Sequence, residues 1–192
     1  MSKRAKLNTI RIIGGQWRGR RLPVIESQGL RPTINRVRET LFNWLMHDIV
    51  NARCLDLFAG SGALGLESIS RGAKFVHFNE VNKTIADQLE QNLDLLLNSE
   101  RFNRADVGCA SALTVLADAQ TDPYDIVYLD PPFESDLLEK SIRLLVENNW
   151  ITRGSIIYLE QDANRKIVEV PSNWKLHREG VVGQSAYNLY IS

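Results

Sequence analysis

The chain has little sulfur, little histidine and no long apolar run. Two cysteines in 192 residues exclude a disulfide-stapled scaffold. Cys54 and Cys109 each sit in an apolar, strand-like stretch, so both are expected as reduced core residues. The histidines, His47, His77 and His177, stand at no metal-ligand spacing and have no evident partner, so ordinary structural roles and no metal site are expected. No apolar stretch approaches the roughly 18 residues of a membrane span, and Met1–Lys6 is not followed by the apolar segment of a signal peptide. A cytoplasmic protein without membrane attachment is the expectation. Internal repeats and low-complexity tracts are also missing.

Net charge is missing too: the formal value is +0. That balance hides a strong asymmetry. Residues 1–38 hold ten Lys and Arg against one acid, Glu26, and the rest holds 13 against 22. A basic arm on an acidic body calls for a polyanionic partner. With 44% hydrophobic and 24% charged residues, the chain suits one globular domain with a small appendage.

Within the arm, residues 9–25 alternate apolar and basic residues around Gly14, Gly15 and Gly19, which suits short strands with a turn near Gly14-Gly15. Trp17 among Arg18, Arg20 and Arg21 combines a stacking surface with phosphate-neutralising charge. The same Trp17 could pack the small sheet onto the body; the two readings are compatible. A Glu-Ser-Gln-Gly linker leads to Leu30-Arg31-Pro32-Thr33. There Thr33 suits the N-cap of a helix whose Ile34, Val37, Leu41, Trp44 and Leu45 share one face. Arg36 and Arg38 are expected to point elsewhere and to extend the basic surface.

From Cys54 onward strands and helices alternate: strands at 54–58, 74–79, near Cys109 and at 124–130, helices at 63–70, 83–98, 112–117 and 137–148. Alternation of this kind means a mostly parallel sheet with helices on both faces. The strand-like segments 155–160, 174–178 and 184–191 lack a helix between the last two, so an antiparallel pair is expected to close the sheet.

Two loops carry the chemistry. Asp56-Leu57-Phe58-Ala59-Gly60-Ser61-Gly62 leaves the first strand of the α/β body and opens its first helix, where glycines let backbone approach a ligand. Glu80 ends the next strand, where an acid can take ribose hydroxyls. Gly60–Gly65 satisfies G-x-G-x-x-G, so a dinucleotide and an oxidoreductase must be weighed. The Asp56 carboxylate, however, suits a ligand with an ammonium group better than a pyrophosphate. Asp130-Pro131-Pro132-Phe133 ends the fourth strand as a stiff loop, since neither proline has an N–H and each restricts its predecessor. It presents a carboxylate, carbonyl acceptors and a ring, a set that fits a flat substrate bearing an amine. S-adenosylmethionine (SAM) fits the glycine loop as an amino acid joined to a ribose and an adenine.

Arg31-Pro32-Thr33, Arg36–Asn43, Asp56–Gly62 and Asp130–Phe133 together resemble the RsmD family of class I SAM-dependent methyltransferases, and the likeness spans nearly the whole chain. The resemblance implies a seven-stranded, Rossmann-like domain over residues 31–192 behind a basic, hairpin-like extension over residues 1–30. It implies methylation of the exocyclic N2 of a guanine in 16S rRNA (guanine 966 in the usual numbering). The substrate would then be that rRNA, the small ribosomal subunit or its assembly intermediate, and the protein a monomer. Cofactor contacts are expected from Asp56, Phe58, Ala59, Gly60, Ser61, Gly62, Glu80, Val81, Ser111 and Asp130. RNA contacts are expected from Arg11, Trp17, Arg18, Arg20, Arg21, Arg31, Arg36 and Arg38. Asp130, Pro131, Pro132 and Phe133 are expected to hold the amine. The sequence departs from the family at Asn82, commonly Asp, and at Ser111, commonly Asp or Asn. An adenine or cytosine amine in DNA would suit the same loop, and an RNA-binding assembly factor that only keeps the nucleotide pocket is the non-enzymatic alternative.

Overall fold

The computed structural model describes residues 8–25, 35–133 and 135–192. A hairpin of antiparallel strands β1 (Asn8–Arg11) and β2 (Arg21–Val24) precedes a seven-stranded sheet. The chain continues through α1 (Asn35–Trp44), β3 (Arg53–Asp56), α2 (Ala63–Ser70), β4 (Phe75–Asn79) and α3 (Lys83–Leu97). A one-turn helix α4 (Arg101–Arg104), β5 (Ala105–Gly108), α5 (Ala112–Leu116), β6 (Tyr124–Leu129) and α6 (Leu137–Glu147) follow. Then β7 (Ile151–Asp162), β8 (Lys175–Val182) and β9 (Ser185–Ile191) end the chain. The strand order is β5-β4-β3-β6-β7-β9-β8. The strands from β5 to β7 are parallel, and β9 runs antiparallel to both its neighbours. This is the mixed sheet that the alternating pattern and the helix-free C-terminal segments predict.

Side-chain alternation divides the core into two layers. Cys54, Ile126, Tyr128, Ile156, Tyr158 and Leu189 face α1, α2, α3 and the hairpin. Leu55, Val127, Leu129, Ile157, Leu159 and Tyr190 face α5 and α6. Strands covered on both sides read as continuous apolar runs, as these do. Among the described residues no helix is long and apolar enough to cross a membrane.

β7 is longer than its apolar run suggests. Its pairing with β6 jumps from Tyr124↔Ile151 to Ile126↔Ile156. Gly154 (φ 94°) takes the left-handed conformation in the extra residues, and the Ser155 hydroxyl donates to the Tyr124 carbonyl at 2.8 Å to hold them.

The hairpin shares the body's core: Ile12 and Leu22 are buried in the first layer, and half-buried Ile10 and Trp17 pack against it. Its connection is fastened by a carboxylate. Glu67, on α2 and 1% exposed, accepts from the Ile13 amide (2.8 Å), the Gly14 amide (2.7 Å) and Arg71 Nε (2.7 Å). Ser70 adds to the clamp: its hydroxyl donates to the Gly14 carbonyl (2.6 Å) and accepts from the Trp17 amide (3.0 Å). The reversal lies over Gln16–Gly19, just past the glycine pair.

Three expectations need correction. Arg38 does not extend the basic surface; it is 3% exposed and donates to the Arg11 carbonyl (3.0 Å) and Asn35 Oδ1 (2.6 Å). It lies three, four and seven residues before Leu41, Phe42 and Leu45, on the buried face of α1. Cys109 is not in the core: β5 ends at Gly108 and the thiol is exposed, while Cys54 is buried. His77 has a partner, since Nδ1 lies 2.8 Å from Asp106 Oδ1 on the paired strand β5. Arg31, Pro32, Thr33 and the linker from Glu26 lie outside the described residues.

Removing Glu67 leaves two amides and a guanidinium facing a void in the core. Glu67→Ala is expected to lower the unfolding free energy by about 3 kcal/mol in urea titrations. It is also expected to open Arg18, Arg20 and Arg21 to trypsin first, with Glu67→Gln intermediate. Unchanged protection of that segment would show that the hairpin is held by its apolar contacts alone.

Candidate active site

The sheet order reverses between β3 and β6, and the crevice beyond the carboxyl ends of such strands is where open α/β sheets bind ligands. Both loops singled out in the sequence emerge there. Ala59, Gly60, Ser61 and Gly62 leave β3, and Asp130-Pro131-Pro132-Phe133 leaves β6, its neighbour in the sheet. The Leu57 amide donates to the Tyr128 carbonyl at 3.3 Å, tying the roots of the two loops together.

The glycine loop is shaped by its residues. Gly60 (φ 51°) and Gly62 (φ 78°) take left-handed conformations. A Cβ at Gly65 would lie 2.1 Å from the Phe78 ring, so this glycine lets α2 pack closely on β4. Asp56 stands under the loop, 3% exposed, and accepts from the Gly65 amide at 2.9 Å. Burial pushes its carboxyl up to about 7; the Gly65 N–H pulls it down and the charge of Glu80 adds to the rise.

Glu80 closes the loop from β4. One carboxylate oxygen accepts from the Gly60 amide (2.9 Å) and the other from the Asn82 amide (2.7 Å). Asn82 caps α3, its side chain accepting from the Thr84 amide at 3.0 Å and the Ile85 amide at 3.4 Å. The substitution of the family's commoner Asp at this position thus keeps an oxygen acceptor in a capping role. Asn79, which the sequence reading passed over, is 1% exposed. Its amide donates to the Leu57 carbonyl (3.2 Å) and the Ala110 carbonyl (3.1 Å), tying together the loops after β3 and β5. Val81 is 69% exposed beside this rim. Ser111 stands at the N-cap of α5 and makes no side-chain bond to that helix's amides. Phe58 is half-buried against the second core layer.

On the β6 side Asp130 is half-buried, Pro131 buried, Pro132 exposed and Phe133 half-buried. Ser135 stiffens the loop: its amide (3.0 Å) and hydroxyl (2.6 Å) both donate to the Pro132 carbonyl. Among the described residues no group of three or more His, Cys, Asp or Glu side chains could hold a metal ion.

The basic residues are spread around the hairpin. Arg11, Arg18, Arg20, Arg21 and Arg36 are exposed, and Arg20 Nη2 donates to the Leu95 carbonyl on α3 at 3.0 Å. Trp17 and Gly14 fasten to Ser70, the last residue of α2. The hairpin tip therefore lies about 12 Å, one eight-residue helix, from the glycine loop. The sequence brought these residues to one arm but did not reveal this offset from the crevice.

The family described as Conserved hypothetical protein 95 matches residues 10–191. Ribosomal RNA small subunit methyltransferase D of Escherichia coli (strain K12) is 52% identical over 181 residues, covering 94% of this chain and 89% of that protein. The solved structure of yhhF from Escherichia coli superimposes with a TM-score of 0.88 at 49% identity, covering 96% of this chain and 98% of that one. At 14% identity, and so for the fold alone, magnesium protoporphyrin IX methyltransferase from Synechocystis, solved with bound SAM, matches with a TM-score of 0.60, covering 81% of this chain and 78% of that one.

The buried Asp56 makes folding stability depend on pH. Between 3.8, the ordinary aspartate value, and about 7, the folded protein keeps a proton that the unfolded chain has released. This carboxyl's contribution to stability therefore falls as pH rises through that window and is level above it. Asp56→Asn keeps an acceptor for the Gly65 amide and removes the titration. Its unfolding free energy minus that of the wild type is expected to grow from about pH 4 to about pH 7 and then flatten; a pH-independent difference contradicts the assignment.

Proposed function

Because the chain belongs to the ribosomal RNA small subunit methyltransferase D family, we propose that it methylates the exocyclic N2 of a guanine in 16S rRNA, guanine 966 in the usual numbering. The observation that carries this reading is the pairing of a glycine loop with Asp130-Pro131-Pro132-Phe133 on adjacent strand ends at the switch point. One loop is built for a nucleotide-bearing donor, the other for a flat amine. The name of the 52% identical relative and the exposed arginines of the arm favour RNA over an amine in DNA.

SAM supplies an electrophilic methyl group on a sulfonium. Gly60, Ser61 and Gly62, with Phe58 and Ala59, would cradle it by backbone. The two oxygens of Glu80 face the rim where ribose hydroxyls would lie, Val81 offers an apolar surface to the adenine, and the Ser111 hydroxyl is available to its edge. An ammonium group beside Asp56, whose carboxyl burial raises to about 7, would favour its ionised form. Those residues bind and orient.

Asp130 and Phe133 act on the acceptor. The guanine amino nitrogen is a weak nucleophile because its lone pair is delocalised into the ring. Hydrogen bonds from its two N–H groups to the Asp130 carboxylate and the Pro131 carbonyl favour a pyramidal nitrogen, aim the lone pair at the methyl group and stabilise the developing positive charge. Phe133 stacks on the base, which has to leave any helical stack to enter. As the carbon–nitrogen bond forms, the methyl carbon's bond to sulfur would break with its electron pair returning to sulfur, so that S-adenosylhomocysteine leaves. The methylated nitrogen then gives its extra proton to solvent, and no covalent enzyme intermediate is needed.

The arm docks the rRNA, or the small subunit or its assembly intermediate, through Arg11, Trp17, Arg18, Arg20, Arg21 and Arg36, with Arg31 from the segment after the linker. Its tip, about 12 Å from the glycine loop, suits phosphates flanking the target more than the target itself. Phosphate contacts of this kind give affinity and register rather than base choice. The protein acts as a monomer in the cytoplasm, with the arm as an RNA-binding extension of the methyltransferase domain.

Asp130→Ala should lower turnover at least ~100-fold while the SAM dissociation constant, by calorimetry, stays within a few-fold. Turnover close to wild type would sink the mechanism. Arg18→Glu with Arg20→Glu should weaken rRNA binding and reduce the slope of log affinity against log salt by about one to two. An unchanged slope would show that RNA docks elsewhere.

A further inference from the structure

The carboxyl edge of the sheet carries another acid that the chemistry above leaves unused. β6 and β7 are in register at Tyr128↔Tyr158 and Leu129↔Leu159, so the next positions are Asp130 and Glu160. Neighbouring strands lie about 4.8 Å apart. Because side chains alternate, Glu160 follows Tyr158 on the face toward α1, and Asp130, one residue past the end of β6, is near enough for its charge to act on the Tyr158 hydroxyl. Glu160 is 6% exposed. Its oxygens accept from the Tyr158 hydroxyl at 2.7 Å and the Ser185 hydroxyl at 2.6 Å. The Tyr158 hydroxyl keeps its proton for this bond, since burial first, and then the charges of Glu160 and Asp130, push its pKa well up.

This is an expensive arrangement for a group with no ion pair among the described residues. A buried carboxylate needs several hydrogen bonds to be tolerated. The two hydroxyls leave roughly half of the four or so acceptor sites of the carboxylate unspent, and they hold it in one orientation. Glu160, Pro131, Pro132 and Phe133 also line one cleft, which runs on along α6 and residues 161–169 rather than to the glycine loop.

We propose that Glu160 reads the acceptor base, accepting a hydrogen bond from the guanine ring N1–H while Asp130 and the Pro131 carbonyl hold the amino group. The inference rests on the guanine-N2 reading of the site. Among RNA bases bearing an amine, only guanine has a ring N–H beside it on the pairing edge. Adenine and cytosine present a lone pair there, which a fixed carboxylate repels. Two neighbouring acceptors, Asp130 and Glu160, match that donor pair and reject the alternatives. Asp130 thus orients the nucleophile, and Glu160 determines which base supplies it.

The test uses small-subunit rRNA rebuilt by ligation with either guanine or 2,6-diaminopurine at the target. The analogue keeps the amine at C2 but has an acceptor at N1. The wild type should prefer guanine by ~10- to 100-fold in kcat/KM, the range expected when a site's polar group is left unpaired. Glu160→Gln, whose amide can donate to N1, should narrow that preference about tenfold or more, with SAM binding unchanged. Two results overturn the proposal: a wild type that does not distinguish the bases, which needs no variant to measure, or a Glu160→Gln protein that loses activity equally on both. If the wild type transfers no methyl to guanine N2, the underlying reading fails and this inference falls with it, a result distinct from the other two.

Discussion

The clamp at Glu67 is the contact on which the working geometry depends. A carboxylate in the middle of a fully buried helix is costly unless its acceptor sites are filled. Here two backbone amides of the arm and the Arg71 guanidinium fill them. The arm therefore cannot leave without taking two amide donors from a buried carboxylate that would keep only Arg71, and the same helix begins at the glycine loop. One rigid element thus carries both the glycine loop and the anchor of the basic hairpin. Arg38 reinforces the joint from α1 by holding the Arg11 carbonyl. In the proposed function, a basic arm merely tethered by chain would give affinity, whereas one fixed to α2 would also set the distance between bound phosphates and the crevice.

The acids that organise the other end of the sheet are sorted by environment. Asp56 is buried and braces α2 through the Gly65 amide, its carboxyl raised to about 7. Glu80 is half-exposed and spends its oxygens on the backbone of two loops. Asp130 is half-buried on a loop made stiff by two prolines and Ser135. Glu160 is oriented by two hydroxyls. The same side-chain chemistry serves as loop brace, rim acceptor and, in the proposed mechanism, amine holder and base reader. The differences come from burial and from which donors each acid already has.

Much of this was legible in the residues. Alternating apolar runs and helix-length segments predicted the parallel sheet, and the missing helix between the last two strands predicted the antiparallel closure. The glycine loop and Asp130-Pro131-Pro132-Phe133 were readable because each combines residues that ordinary turns do not need. What escaped depended on register and packing. His77 and Asp106 meet only because β4 and β5 pair at those positions. Arg38 was misjudged although its spacing to Leu41 and Leu45 matched the apolar face; a charge on that face is a signal of a buried partner. Glu67, alone among Leu, Gly and Ile in a short helix, carried the same signal. Cys109 was misread because an apolar run was extended one residue past the end of β5. Glu160 lies inside β7, two residues before its end, and its hydroxyl partners come from β7 itself and from a strand 25 residues later.

The central claim is that these loops bring a methyl donor to the amine of one guanine in small-subunit rRNA. Mass-spectrometric mapping of 16S rRNA from cells lacking this protein tests it most directly, before and after incubation of their small subunits with the purified protein and SAM. The account predicts one guanine that lacks an N2-methyl group in those cells and regains it on incubation. An unchanged rRNA methylation map, or a methyl group restored on a different base or atom, would contradict it.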